Sequence, residues 1–308
     1  MTPSLSSGHL PQQGNLPVGA AALAVRGLNK KFPKGGFALN NVSFEVPSGS
    51  IMGFVGANGA GKSTTIGLIL HTLRKDDGEV QLFGRPVTAD DAAIRDDIGV
   101  VYDSNAFPEN LSPKQISKAM RHIYSNWDDA VFRQYLTRFK LPEKQKVGEY
   151  SRGMSMKLAI AVALAHHPKL LILDEATSGL DPIVRDEILD VFLEFVQDEN
   201  HSILLSSHIT SDLEKVSDYI TFIHDGEIVI TENKDKLTDD YGIMRCTKAQ
   251  FNNLNPVEML AYRKHEHQVD VLVADRREMA NKYSDIRIDR PSIEDVMLTL
   301  VRGEKPNA

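Results

Sequence analysis

The segment GANGAGKST, from Gly56 to Thr64, constrains the fold of this chain more than any other stretch. It matches the phosphate-cradling pattern G-x-x-x-x-G-K-[ST]. The apolar run 51–55 before it predicts a buried strand, and 63–73 after it predicts a helix. A strand, a glycine-rich turn and a helix in this order present backbone N–H groups and a positive helix end to anionic oxygens. The segment therefore predicts a site for the phosphates of a nucleotide.

The polar side chains of this loop have separate predicted tasks. Lys62 is expected to reach the β- and γ-phosphates, and Ser63 to place its hydroxyl on Mg²⁺. The other loop residues expected to contact the phosphates are Gly56, Asn58, Gly59, Ala60, Gly61 and Thr64. The alternative is a glycine turn with a chance Lys-Ser pair. That alternative does not explain why a strand precedes the loop and a helix follows it.

Two acidic residues follow a second apolar strand. Residues 170–173 are four consecutive aliphatics, and Asp174 and Glu175 come directly after them. The carboxyl ends of parallel strands meet at the edge of the sheet where ligands bind. Asp174 is therefore expected to join the Mg²⁺ shell, and Glu175 to accept a proton from the attacking water. A solvated acidic turn is the alternative, and the buried strand in front of the pair argues against it.

Charge and cysteine content limit the partners of the chain. It carries 35 Lys and Arg against 42 Asp and Glu, a net charge of −7. This balance argues against nucleic acid as the main partner, because phosphate backbones demand a basic surface. The single cysteine, Cys246, excludes an internal disulfide and fits a reducing cytosol. No stretch approaches the roughly 20 apolar residues of a spanning helix, so work at a membrane would require a partner.

The pattern along the chain predicts a tail and two domains. Residues 1–20 are rich in Ser, Pro, Gln and Gly, which predicts a disordered tail. Strands and helices alternate over 21–237, which predicts an α/β domain with a largely parallel sheet. One helix is expected to run from Ser112 through Trp127 to Lys140. Residues 238–308 predict a small accessory domain, whose first six elements follow the β-α-β-β-α-β order of ferredoxin-like folds.

Further motifs appear in an order that resembles one family. Three motifs lie around the apolar strand that ends in Asp174. Before this strand comes Tyr150-Ser151-Arg152-Gly153-Met154, and after it comes Ser178-Gly179-Leu180-Asp181. The next strand ends in Ser207-His208. With the phosphate loop, this order resembles the ATP-binding-cassette (ABC) ATPases, the nucleotide-binding subunits of transporters. The three motifs stand at the family's LSGGQ signature, its D-loop and its switch histidine. Phe32 stands at the aromatic that stacks on adenine.

The resemblance implies a fold and a mode of action. The fold is a P-loop NTPase domain with a mainly parallel core sheet, an antiparallel β subdomain and a helical subdomain at about 104–167. The ligands are ATP and Mg²⁺. Ser151 and Gly153 would close over the γ-phosphate bound by a second ATPase subunit, so that ATP joins two chains. His208 would hold the γ-phosphate and the attacking water in line.

The resemblance also implies a membrane permease as partner. The degenerate signature is similar to that of bacterial exporters of antibiotics, peptides or lipids whose permeases are separate chains. The region 103–127 would form the groove that receives a short permease helix. The chain would then be cytoplasmic and peripheral on the inner face of the cell membrane. Its second ATPase subunit would be another copy or a related chain.

The sequence departs from the family pattern both within the signature and after one strand. Arg152 and Met154 replace a Gly and the Gln of the signature, and Asp103 stands where the family has a Gln after a strand. A carboxylate can approach Mg²⁺, so Asp103 is expected near the metal. It cannot donate a hydrogen bond as an amide can.

Two alternatives to a transport ATPase stay open at this point. One is a soluble member of the family that acts on ribosomes or DNA. Such proteins generally carry two cassettes or a long coiled-coil insertion, and this chain has one cassette and no heptad run. The other is a regulator that binds nucleotide but barely hydrolyses it. Glu175 and His208 argue against the regulator, whereas Asp103 keeps it open.

Overall fold

The computed structural model describes residues 21–33, 36–88, 96–103 and 107–306. The predicted tail at 1–20 lies outside the described residues. The described chain divides into two compact units, one that ends at Ile228 and one that begins at Val229.

Two sheets form the framework of the first unit. The strands are β1 Ala21–Lys31, β2 Ala38–Pro47, β3 Ile51–Val55, β4 Asp77–Leu82, β5 Arg85–Pro86, β6 Ile98–Val101, β7 Leu170–Asp174, β8 Ser202–Ser207 and β9 Tyr219–His224, with β10 Glu227–Asn233 as the strand in which the boundary falls. An antiparallel sheet has the order β2-β1-β4-β5. A second sheet has the order β10-β9-β3-β8-β7-β6, and its pairs from β9 to β6 are parallel. The predicted parallel core and antiparallel β subdomain are confirmed.

The core of the parallel sheet is apolar on both faces. Every residue of β3, β7 and β8 is buried. Strands covered on both faces read as continuous aliphatic runs, which is why these segments lack alternation in the sequence. Burying each large aliphatic side chain contributes roughly 1.5–3 kcal/mol. The strand ends that carry the site are therefore held rigidly.

The helices of the first unit include one correction. They are α1 Lys62–Ile69, α2 Pro113–Met120, α3 Asp129–Arg138, α4 Arg152–Leu164, α5 Pro182–Phe195 and α6 Thr210–Val216, with a 3₁₀ turn at Val147–Glu149. The single helix predicted from Ser112 to Lys140 is wrong, because α2 and α3 are separate. Asp128 begins a new helix by accepting hydrogen bonds from two backbone N–H groups at 2.7 and 3.1 Å. Such a cap is worth about 1 kcal/mol.

Helix α1 is also shorter than predicted. It ends at Ile69 instead of residue 73. His71 adopts a left-handed conformation with φ 55°. The Leu73 N–H then donates to the Gly67 carbonyl at 3.0 Å, which turns the chain out of the helix. None of the described helices has the length and apolar character needed to cross a membrane.

The second unit has the predicted ferredoxin-like order. Its strands are β11 Gly242–Cys246, β12 Ala261–Lys264, β13 Val269–Val273 and β14 Arg287–Asp289. Its helices are α7 Lys248–Phe251, α8 Arg276–Lys282 and α9 Ile293–Arg302, with a π turn at Lys236–Asp240 and a 3₁₀ turn at Pro256–Glu258. The sheet order β12-β13-β11-β14 is antiparallel throughout, as in split βαβ folds.

The free thiol of Cys246 gives a first testable prediction. The residue is fully buried in the core of the second unit. Burial, with smaller effects from Asp270 and Asp285, raises the pKa of the thiol to about 11. Only the thiolate attacks disulfide reagents, so the native chain at pH 8 should not react with dithionitrobenzoate. In the chain unfolded in guanidinium, the thiol should react and release one equivalent of thionitrobenzoate per chain. Rapid reaction of the native chain would contradict the burial of this thiol.

Candidate active site

Glycine backbone shapes the phosphate loop between β3 and α1. Gly59 and Gly61 have φ of 84° and 117°, conformations that favour glycine. A Cβ on Gly56 would lie 2.5 Å from the Ile223 carbonyl oxygen, so a side chain does not fit there. The loop can therefore pass close to β9 and curl its N–H groups inward. Helix α1 begins directly after it at Lys62.

A cavity lies over this loop. Its volume is about 390 Å³. The lining residues are Phe37, Ala57, Asn58, Gly59, Gly61, Lys62, Ser63, Thr64 and Glu175. Backbone N–H groups, a helix N-terminus and a lysine in one concave site are the chemistry that a polyphosphate requires. The residues present thus fit the triphosphate of a nucleotide, as the sequence predicts.

Lys62 is buried at the base of the cavity and has three oxygen partners. Its Nζ donates to the Gly56 carbonyl at 2.7 Å and to the Ala57 carbonyl at 3.4 Å. It also lies 3.1 Å from Glu175 Oε1. A buried ammonium needs such partners, because an unpaired charge there would be costly. The Glu175 carboxylate faces the position that the phosphates of a bound nucleotide would take.

The two acids after β7 have different surroundings. Asp174 is buried and accepts a hydrogen bond from the Ser206 hydroxyl at 2.5 Å. Glu175 has a left-handed backbone with φ 55°, held by a hydrogen bond from its N–H to the Ser206 carbonyl at 3.1 Å. A non-glycine residue in this conformation costs on the order of 1–3 kcal/mol and is typical of functional sites. Here the turn directs the carboxylate into the cavity.

His208 completes this arrangement. Its Nδ1 lies 2.7 Å from Glu175 Oε2, the second oxygen of the same carboxylate. Because β7 and β8 are adjacent and parallel, their carboxyl ends bring Glu175 and His208 together. The structure therefore joins three residues predicted from separate motifs, Lys62, Glu175 and His208. A carboxylate that lines a polyphosphate site is placed to act as a general base there.

Ser151 and Gly153 lie at the start of α4. Ser151 caps the helix by accepting a hydrogen bond from the Met154 N–H at 3.3 Å, and its side chain is exposed. Gly153 approaches α5, where an added Cβ would lie 3.3 Å from Val184. The described lining of the phosphate cavity includes neither residue. The helix end is thus presented outward, where a second molecule can reach it.

Two predicted site residues have other contacts in the structure. Phe37, rather than Phe32, lines the phosphate cavity, and the two ring centroids are 6.4 Å apart. Sequence reasoning missed Phe37, because no motif marks it and it follows β1 by a few residues. Asp103 forms an ion pair with Arg152. Its predicted approach to Mg²⁺ stays a prediction.

Comparison with known proteins gives one consistent picture. Residues 39–178 match the family model described as ABC transporter. The bacitracin transport ATP-binding protein of Bacillus licheniformis is 34% identical, over 62% of this chain and 63% of its own length. The lantibiotic transport ATP-binding protein of Streptococcus pyogenes is 33% identical, over 69% of this chain and 91% of its own length. The chain thus spans less than two thirds of the bacitracin relative and most of the lantibiotic one.

Solved structures share the fold. An ATP-binding subunit of an ABC transporter superposes with a TM-score of 0.64 at 25% identity, over 75% of this chain and 93% of that one. A dimeric ATP-binding cassette in a post-hydrolysis state, bound to ADP and Pi, gives a TM-score of 0.61 at 21% identity, over 68% and 98%. The second likeness shows the fold alone.

Proposed function

Since this chain belongs to the family of ABC transporter ATP-binding proteins and is an ATP hydrolase, we propose that it energises export through a separate membrane permease. The proposed cargo class is an antibiotic-, peptide- or lipid-like compound. Support for this class comes from relatives whose names specify bacitracin and lantibiotic transport. The observation that carries the hydrolytic role is the Glu175 carboxylate held between Lys62 and His208 above the phosphate loop.

The proposed mechanism begins with an exchange of partners at Lys62. In the structure its ammonium lies 3.1 Å from Glu175. The phosphates of ATP carry more negative charge than this carboxylate, so Lys62 is expected to turn to them when ATP binds. Glu175 then loses this contact, and its Oε1 is free to face the attacking water. The same binding event that brings the γ-phosphate therefore readies the base.

Glu175 and His208 then have separate tasks in the chemical step. Glu175 accepts the proton of the attacking water, and its contact with His208 holds its second oxygen in place. His208 orients the water and the γ-phosphate. Ser63 and Asp174 would hold Mg²⁺, which neutralises charge on the phosphates when it is bound. The buried hydrogen bond from Ser206 fixes the Asp174 carboxylate for this task.

A second ATPase subunit would complete the site. Ser151 and Gly153 present a helix N-terminus outward, and such a helix end attracts anions. We propose that this end binds the γ-phosphate held by another chain, so that two ATP molecules join two chains head to tail. The exposed position of Ser151 supports this arrangement.

The partner permease is proposed to bind at 103–127, on the inner face of the cell membrane. Phe107 in this region is half-buried, and Ala106 lies outside the described residues. A permease helix seated here would contact the segment that directly follows β6.

Purification of the tagged chain from solubilised membranes tests this function. A membrane protein with several spanning helices should co-purify, and the complex should hydrolyse ATP faster than the chain alone. A variant chain that still binds the nucleotide but hydrolyses ATP more slowly should still co-purify with the membrane protein. Recovery of ribosomal components, or of the chain without any membrane protein, would favour the soluble or regulatory alternative and contradict the transport role.

A further inference from the structure

Two departures from the family pattern are in contact in this structure. Asp103 follows β6, and Arg152 begins α4, 49 positions along the chain. Their side chains form an ion pair between Arg152 Nη2 and Asp103 Oδ1. The family's Gln and Gly at these positions could not make such a pair. The two changes are thus complementary: each supplies the charge that the other requires.

The same guanidinium packs against a third loop. A Cβ built on Gly179, in the loop between β7 and α5, would lie 3.1 Å from Arg152 Cζ and 3.2 Å from its Nε. Gly179 has φ 67°, a conformation in which a side chain would also be strained. The loop therefore leaves room for the Arg152 side chain. Arg152 bridges the segment after β6, the start of α4 and the loop after the catalytic acid.

Arg152 and Asp103 both line a second cavity, which shares no lining residue with the phosphate cavity. Its volume is about 360 Å³, and Tyr102, Asp103, Tyr150 and Arg152 are among its lining residues. Strand β6 pairs with β7, and Val101 lies opposite Leu173, the residue before Asp174. The segment that carries Asp103 is therefore close enough to the acidic strand end for its position to matter there.

We propose that Arg152 is a positioning residue of the ATPase and that Asp103 serves Arg152 instead of Mg²⁺. The ion pair ties the start of α4, with Ser151, to the segment after β6, while Gly179 supports the guanidinium from the other side. The ion pair thereby fixes the position of Ser151 relative to the segment after β6 of the same chain. This proposal rests on the proposed function, in which Ser151 contacts a γ-phosphate.

Exposure of the pair makes this role separable from folding. The side chains of Arg152 and Asp103 are 51% and 50% exposed. Exposed ion pairs contribute little to stability, so removal of either charge should leave the melting temperature nearly unchanged. A loss of turnover would then reflect the positions of the loops. The Arg138–Glu194 ion pair, which is also solvent-accessible, provides the matched control.

The test is a double-mutant cycle on ATP hydrolysis by the purified chain. Arg152→Gln and Asp103→Asn should each lower turnover by about 10-fold, as expected for coupled residues. The double variant Arg152→Gln/Asp103→Asn should be no worse than either single one, and the exchanged pair Arg152→Asp/Asp103→Arg should recover activity. Arg138→Gln should have no effect.

A second measurement separates the two roles of Asp103. If Asp103 serves Arg152, Asp103→Asn leaves the Mg²⁺ concentration for half-maximal activity and the shift in melting temperature with MgATP unchanged. A rise of about 10-fold in the Mg²⁺ requirement, seen for Asp103→Asn but not for Arg152→Gln, would show a metal ligand and overturn the proposal. Additive losses in the double variant would overturn it as well. Failure of transport in membranes would contradict the proposed function without altering this result.

Discussion

Replacement of Glu175 by Gln is expected to lower ATP turnover by about 10²–10⁴-fold while ATP binding is retained. The amide keeps the size of the side chain but cannot accept a proton from water. It can still contact Lys62 and His208, which lie 3.1 and 2.7 Å from the two carboxylate oxygens. Steady-state phosphate release and binding of a fluorescent ATP analogue measure the two effects.

Glu194→Gln is the matched control for this variant. Glu194 pairs with Arg138 on the surface and lines neither the phosphate cavity nor the cavity beside Arg152. Its replacement should leave both turnover and binding unchanged. Full activity of the Glu175→Gln chain would show that another group accepts the proton, and the assignment of the base would then be wrong.

Replacement of Lys62 by Ala is expected to lower ATP affinity by about 10²-fold, since loss of a buried charged partner costs about 2–5 kcal/mol. The substitution removes the ammonium that faces the phosphates. It also removes the hydrogen bond to the Gly56 carbonyl, which supports the loop from inside. Titration calorimetry with MgATP measures the affinity directly.

Lys169→Ala is the control for the lysine variant, because Lys169 is exposed and pairs with Asp97 at 3.2 Å. Its affinity for ATP should equal that of the unaltered chain. Circular dichroism separates loss of binding from loss of fold in both variants. An unchanged affinity of a folded Lys62→Ala chain would exclude the proposed task of this residue.

The sequence predicts the elements of this site well, because their signals are local. The phosphate loop, the apolar strand before Asp174 and the capped start of α4 are each specified by a few consecutive residues. The order of strands and helices in the second unit is predicted equally well, because each short element has its own pattern in the sequence. The contact of Glu175 with His208 follows once β7 and β8 are known to be parallel neighbours.

Contacts between distant segments could not be predicted in the same way. The ion pair of Asp103 with Arg152 joins two positions that the motifs mark only as departures. Phe37 lies directly before β2 and lines the cavity, and no motif marks an aromatic at such a position. The break between α2 and α3 depends on one Asp128 cap, which competes with a helical pattern that continues on both sides.

The claim that two chains share one ATP site is tested most directly by measuring the mass of the Glu175→Gln chain with and without nucleotide. If the phosphate loop of one chain and Ser151 of another form one site, MgATP should convert this variant from one chain to a particle of twice its mass. MgADP should not, because the γ-phosphate is absent. Light scattering after size exclusion gives the mass. A chain that binds MgATP and keeps the mass of one copy would contradict a site shared between two copies.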